Sequence, residues 1–127
     1  MSNQLERESY LVVNDPRFTQ GRALFNSENW YQAHDLFEEL WHETIGPERQ
    51  TIQGILQIAV AQIHLESGNK NGAMILFGEG LGRLKGFSTP DLGLDLEELC
   101  EIVGSRLNLL QQEIDIKNSP VPFLKNK

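Results

Sequence analysis

The chain has 127 residues, enough for one domain with a core of its own. Eleven Lys and Arg against eighteen Asp and Glu leave a net charge of -7, and the basic residues are scattered singly, so nothing forms the cationic stripe that nucleic acid requires. The lone Cys100 excludes an intrachain disulfide, and with no eighteen-residue apolar window and no basic-then-apolar start the expectation is a cytoplasmic protein without a membrane span.

Residues 1–15 read as an extended arm. Its apolar run, Tyr10 to Val13, ends at Asn14-Asp15-Pro16, where proline suits the first turn of a helix. Helix one follows, about Pro16 to Ser27, burying Phe18, Gly21, Leu24 and Phe25. Asn29 is placed to cap helix two, about Trp30 to Thr44, whose apolar positions Ala33, Phe37, Leu40 and Trp41 recur at helical spacing. Gly46-Pro47 stops that helix and starts helix three, about Pro47 to Ser67, with Ile52, Leu56, Ala59 and Ile63 on one face.

Gly68-Asn69 closes helix three. Helix four, about Lys70 to Lys85, packs through Ala73, Leu76, Phe77, Gly80, Leu81 and Leu84. The loop GFSTPDLG leads to Asp95, which with Glu98 resembles a capping box for helix five. That helix carries the stripe Leu96, Leu99, Cys100, Val103, Leu107, Leu110, Ile114, with Cys100 a packed core residue. No segment alternates with period two for long enough to make a strand. The expected architecture is an all-α array of about five helices in antiparallel hairpins, one domain over residues 16–117 with a C-terminal tail over 118–127.

An internal echo runs through the first four helices. SENWYQAH at Ser27 and SGNKNGAM at Ser67 share Ser-x-Asn-x-x-x-Ala at an offset of forty residues, which sets Gly21, Leu24, Ala33 and Phe37 against Ala61, His64, Ala73 and Phe77. Either two stacked copies of one hairpin produce this, in the manner of tetratricopeptide packing, or small residues at helix crossings match by chance.

The chemistry-bearing residues concentrate in helices two and three. His34, Glu38 and Trp41 are spaced i, i+4, i+7 and share a face, and Arg49, Gln53, Gln57 and His64 form a row on the next helix. A rise of about 1.5 Å per residue, counted from the Gly46-Pro47 turn, sets His34 level with Gln57 and Glu38 with Gln53, and leaves His64 on the order of 10 Å further along. The expectation is a buried polar seam in which Glu38 meets Arg49 or Gln53 and His34 meets Gln57, because a buried carboxylate needs a partner.

Metal chemistry is the alternative. His34 with Glu38, or Glu38 with His42, can reach one ion, and Glu39-x-x-His42 has the spacing of di-iron bundles, which need two such motifs where this chain has one. There is no His-Glu-x-x-His and no cysteine pair. Asp35, Glu39, His42 and Glu43 read as a solvated acidic surface. Nucleophilic catalysis has no elbow motif to support it, and GEGLG, Gly78 to Gly82, lies inside a helix with no preceding strand, which suits close packing at Gly80 and Gly82 better than phosphate binding.

The run from LFNSENWYQAHDLFEELWHE to SGNKNGA resembles the domain of unknown function 309 family of small all-helical proteins. The matching residues are Ala33, His34, Glu38, Trp41, Arg49, Gln53, Gly54, Gln57, His64, Gly68, Asn69, Gly72 and Ala73, with Asp35 standing where that family usually has Glu. The resemblance extends over about Phe18 to Leu110. It implies an all-helical fold and little about activity, since members are sometimes labelled predicted metal-dependent hydrolases by inference.

Two functions are therefore carried forward. One is a cytosolic binding or interaction module, without a cofactor, taking an unknown protein or small-molecule partner, with a homodimer plausible on base rates. The other is a hydrolase in which a divalent metal, held first by His34 and Glu38 and then by His64 or Glu39 and His42, generates a nucleophilic water.

Overall fold

Short-range signals set the helix ends. In the computed structural model, which describes residues 12–127, helix α1 (Pro16–Asn26) opens on Asp15, whose Oδ1 accepts from the Arg17 backbone N–H at 2.9 Å. Pro16 takes the first helical position, where no N–H is missed. Helix α2 (Trp30–Glu43) begins after Asn29, but that side chain makes no capping bond and donates instead to Ser27 Oγ at 2.8 Å. Gly46, at φ 89°, turns the chain into α3 (Glu48–Glu66).

Asn69 caps α4 (Lys70–Leu84) by accepting from the Gly72 N–H at 2.9 Å. Asp95 caps α5 (Leu96–Gln111) by accepting from the Glu98 N–H at 3.0 Å. The expected capping box is only half formed. Glu98 reaches out to Lys125 Nζ at 3.3 Å, and the Asp95 N–H donates to the Lys125 carbonyl at 2.8 Å, so the C-terminal segment takes the place of the reciprocal bond.

Helices adjacent in sequence pack pairwise, α1 on α2, α2 on α3, α3 on α4 and α4 on α5, with the heaviest packing between α3 and α4. The structure is all-helical, as expected, and no strand occurs among the described residues beyond an isolated bridge, Leu94 to Asn126. Phe25, Phe37 and Phe77 are wholly buried, together with Leu40, Ile52, Ile55 and Ile58. Each such side chain contributes about 1.5–3 kcal/mol relative to leaving it in water. Helix α3 is buried on more than the one face expected, because it lies between α2 and α4: Thr51, Ile55, Ile58, Ala61 and Gln62 are inside as well as Ile52 and Ala59.

The forty-residue echo corresponds to two copies of one turn. Between α1 and α2, the N–H groups of Ser27, Glu28 and Asn29 donate to the carbonyls of Ala23, Phe25 and Leu24. Between α3 and α4, those of Ser67, Gly68 and Asn69 donate to Ile63, Leu65 and His64, forty residues on in every case. Glu28 at φ 64° stands where Gly68 at φ 78° stands. Both hairpins also bury the echoed Ala33 and Phe37, or Ala73 and Phe77.

At the α3–α4 crossing a Cβ on Gly54 would lie 2.7 Å from Leu84 Cγ, and one on Gly80 would lie 3.0 Å from the Gly54 carbonyl oxygen. Gly80 is therefore a packing glycine as expected. Gly82 is not, because it is exposed and a Cβ there would meet nothing within 4 Å.

The ends of the chain differ from expectation. Residues 1–11 of the expected extended arm lie outside the described residues, and residues 12–14 are helical, with Val12 buried. Helix α5 stops at Gln111, so Ile114, read as part of its stripe, is exposed beyond the helix. The segment read as a poorly patterned tail is a strap. Leu124 is 1% exposed, and its backbone is held by Asn26, whose Nδ2 donates to the Leu124 carbonyl and whose Oδ1 accepts from the Leu124 N–H, and by Arg22 Nε. Arg106, buried in α5, fastens the same strap by donating to the Pro120 carbonyl at 2.6 Å.

Candidate functional site

On α2, Ala33, Phe37 and Leu40 face the core, which turns His34, Glu38 and Trp41 toward its edge and His42 outward. The His34 ring lies between two carboxylates of its own helix, with Nε2 3.0 Å from Glu38 Oε2 and Nδ1 3.1 Å from Asp35 Oδ1. The other oxygen of Glu38, Oε1, is 3.6 Å from His42 Nε2, an ion-pair distance too long for a hydrogen bond. Tyr31, exposed, stands beside His34 with ring centroids 6.0 Å apart.

Trp41 and Arg49 join α2 to α3. The Arg49 guanidinium lies 4.0 Å over the centre of the Trp41 ring, and its Nε donates to the Trp41 carbonyl at 3.2 Å. The Trp41 and His42 rings also meet, edge to face, with centroids 5.0 Å apart. Trp41 Nε1 is buried with no hydrogen-bond partner among the described residues. Gln53, one turn beyond Arg49, is half-buried, and its side chain makes no hydrogen bond among the described residues.

The seam does not close across α2 and α3 as expected. Glu38 pairs along its own helix with His34 and His42, not with Arg49 or Gln53, and its side chain is 43% exposed. Gln57 turns the other way, to α4: its Nε2 donates to Glu79 Oε2 at 2.9 Å, and its Oε1 accepts from Arg83 Nε at 3.0 Å. Arg83 continues to Gln50 Oε1 at 3.0 Å. The physical cause is the close α3–α4 crossing at Gly54 and Gly80, which carries Gln57 against α4.

His64 belongs to the second hairpin turn, where its Nδ1 is 3.3 Å from Asn69 Nδ2. A Cβ on Gly72 would come within 3.0 Å of its ring, so the Gly68-Asn69…Gly72 signature packs this turn. Of the seven candidate residues, His34, Glu38, Trp41 and Arg49 are linked through α2, Gln53 is unpaired on the same side as Arg49, and Gln57 and His64 are engaged elsewhere. Sequence reasoning missed Glu79, Arg83 and Gln50 as partners of Gln57. The usable signal was the i, i+4 spacing of Glu79 and Arg83 on α4.

The expected acidic surface of α2 is partly neutralised. Arg17 pairs with Glu43 and lies 3.9 Å from Glu39, while also bonding Asp15 at 2.9 Å. Asp15 thus has its carboxyl held below the usual range, mainly by the Arg17 side chain. Cys100 is buried as expected, and that burial pushes its thiol up. Among the described residues no group of three or more His, Cys, Asp or Glu is arranged to hold a metal ion. No helix there is long and apolar enough to cross a membrane.

With this geometry the comparison with known families is decisive for part of the chain. Residues 18–76 match the family described as domain of unknown function, DUF309. Over that stretch the chain is similar to DUF309. The match runs from α1 to the middle of α4 and takes in His34, Glu38, Trp41, Arg49, Gln53, Gln57 and His64, so the resemblance read from these residues holds there, over a shorter span than residues 18–110. The DUF309 description states no activity. No curated protein matches the chain.

Proposed function

We propose that the chain is a small helical binding module whose working face is the α2–α3 surface around Trp41, Arg49 and Gln53. One observation carries this reading. Among the described residues Trp41 Nε1 is buried with no hydrogen-bond partner, and beside it on α3 the Gln53 amide and the terminal nitrogens of Arg49, whose Nε alone is engaged, make no hydrogen bond. An unpaired buried donor costs about 1–3 kcal/mol, so the Trp41 N–H, with the exposed Arg49 guanidinium beside it, favours a partner that supplies an acceptor such as a carboxylate or a peptide carbonyl. The Trp41 ring and its stacked guanidinium add a flat surface against which such a group can lie.

The test is an NMR titration of 15N-labelled protein with acetate, inorganic phosphate and a capped glycine peptide. The Gln53 side-chain amide and the Trp41 indole N–H should move together and saturate with at least one probe. Both responses should disappear in Arg49→Ala and Gln53→Ala. Shifts that never saturate, or that spread evenly over the surface, would rule the face out.

The metal-dependent hydrolase remains a second reading on one specific feature, the convergence of His34 and His42 on Glu38. Elemental analysis of protein purified without chelator or affinity-tag histidines tests it. Close to one equivalent of a transition metal, with a melting temperature that falls in EDTA, supports it, because a ligand bound to the folded state stabilises that state. Metal at less than about a tenth of an equivalent, with unchanged melting, counts against it.

A further inference from the structure

A cleft of about 550 Å³ opens between the end of α4 and the first turns of α5, away from the α2–α3 face. Its floor is the edge of the core at Leu84, Leu96 and Cys100, and its rim carries Lys85, Glu97 and Glu101. None of these three charges is in a salt bridge among the described residues. Two residues past Lys85 stands Phe87, wholly in solvent at 109% relative exposure.

The segment that presents Phe87 is a built turn. The Thr89 N–H donates to the Gly86 carbonyl at 3.1 Å, with Phe87 and Ser88 between them. Thr89 Oγ1 donates to the Arg83 carbonyl at 2.8 Å, and Thr51 Oγ1, from α3, donates to the Pro90 carbonyl at 2.5 Å. A Cβ on Gly86 would lie 2.5 Å from Thr89 Oγ1, so glycine is needed for the turn to close. An aromatic side chain held outward by a braced turn, beside an apolar cleft with a charged rim, has the composition of an interface anchor and its socket.

We propose that this surface joins two copies of the chain, with Phe87 of each copy seated in the α4–α5 cleft of the other. Anchor and socket adjoin, since Lys85 on the rim stands two residues before Phe87, which suits a two-fold contact, where one patch must be complementary to itself. The rim charges meet the same requirement. Under a two-fold axis Lys85 of one copy faces Glu97 or Glu101 of the other, and the pair is made twice, so each copy supplies the counter-charges that the other lacks. The DUF309 match ends at residue 76, before Leu84, the first residue that lines the cleft, so this surface lies outside the matched stretch.

Sedimentation velocity of the full chain across a wide concentration range should show a reversible monomer–dimer equilibrium. Phe87→Ala removes nothing that is buried in the monomer, so its melting temperature at low concentration should equal the parent's. Its dimer dissociation constant should rise about a hundredfold, roughly tenfold for each of the two anchors. Phe87→Cys, oxidised at a concentration that favours dimer, should form an intermolecular disulfide with Cys100, lost when Cys100→Ser is added. A parent chain that is monomeric throughout, a dimer that Phe87→Ala does not weaken, or a disulfide that forms within one chain or not at all overturns the proposal.

Discussion

Replacing Gly80 by alanine tests the α3–α4 crossing, which turns Gln57 away from Glu38. A helix-interior glycine ordinarily costs about 0.5–1 kcal/mol relative to alanine, so propensity alone predicts a gain. At Gly80 the new Cβ would lie 3.0 Å from the Gly54 carbonyl oxygen, 3.0 Å from Ile58 Cγ1 and 3.6 Å from Gln57 Cβ. The first is backbone and the second belongs to a wholly buried side chain, so neither can swing aside. Ordinary carbon contacts need about 3.5–4.0 Å, so the two helices must separate by several tenths of an ångström. Such overpacking costs about 1–3 kcal/mol, which leaves a net loss of up to about 2.5 kcal/mol after the propensity gain. For a domain of this size that lowers the melting temperature by up to about 10 °C.

Gly82→Ala is the internal control, because it lies two residues along the same helix and its Cβ would meet nothing within 4 Å. It should gain about 0.5–1 kcal/mol and raise the melting temperature by about 2–5 °C. Urea unfolding with unchanged m-values, followed by circular dichroism, gives both differences in one experiment. If the two alanines were equally stabilising, the crossing would be looser than described and the placement of Gln57 would lose its cause.

Four further outcomes follow from individual contacts. Leu124→Ala, which empties a site only 1% exposed, should cost about 2–4 kcal/mol in urea unfolding, and a neutral result would show that the C-terminal strap is not packed. Glu28→Gly relieves a non-glycine residue at φ 64° and should stabilise by about 0.4–1 kcal/mol, reduced by whatever Glu28 contributes to Arg106; a net loss in melting temperature would mean that this charge interaction outweighs the strain. Asp15→Ala should cost about 0.5–2 kcal/mol at neutral pH through the lost cap. Because Arg17 holds the folded-state carboxyl below its ordinary 3.8, the charge part of Asp15's contribution is full above that value and is lost as the pH falls through the folded pKa. The gap between variant and parent should therefore narrow in acid, and urea unfolding at several pH values that showed it widening would refute the pairing. Glu38→Ala, at a side chain 43% exposed, should change unfolding free energy by less than about 1 kcal/mol, and a larger loss would restore the closed seam.

What the sequence by itself determined is local. Asp15, Gly46-Pro47, Gly68-Asn69 and Asp95 mark helix ends because capping and left-handed turns act within three or four residues. Spacing likewise placed Phe37 and Phe77 in the core, set His34 beside Glu38 one turn on, and revealed the two matching hairpin turns. The same residues carry the similarity to DUF309 over residues 18–76.

Tertiary structure decided which helix each polar face meets. Helical spacing tells that Gln53 and Gln57 lie on one side of α3, but not how α3 is rotated between its two neighbours. That rotation depends on the approach of Gly54 to Gly80, so Gln57 bonds Glu79 and Arg83, more than twenty residues away, and Glu38 keeps to its own helix. The strap through Leu124 escaped notice for the same reason. A short stretch with no periodicity carries no signal of its own, and its burial comes from Asn26 and Arg22 at the far end of the chain.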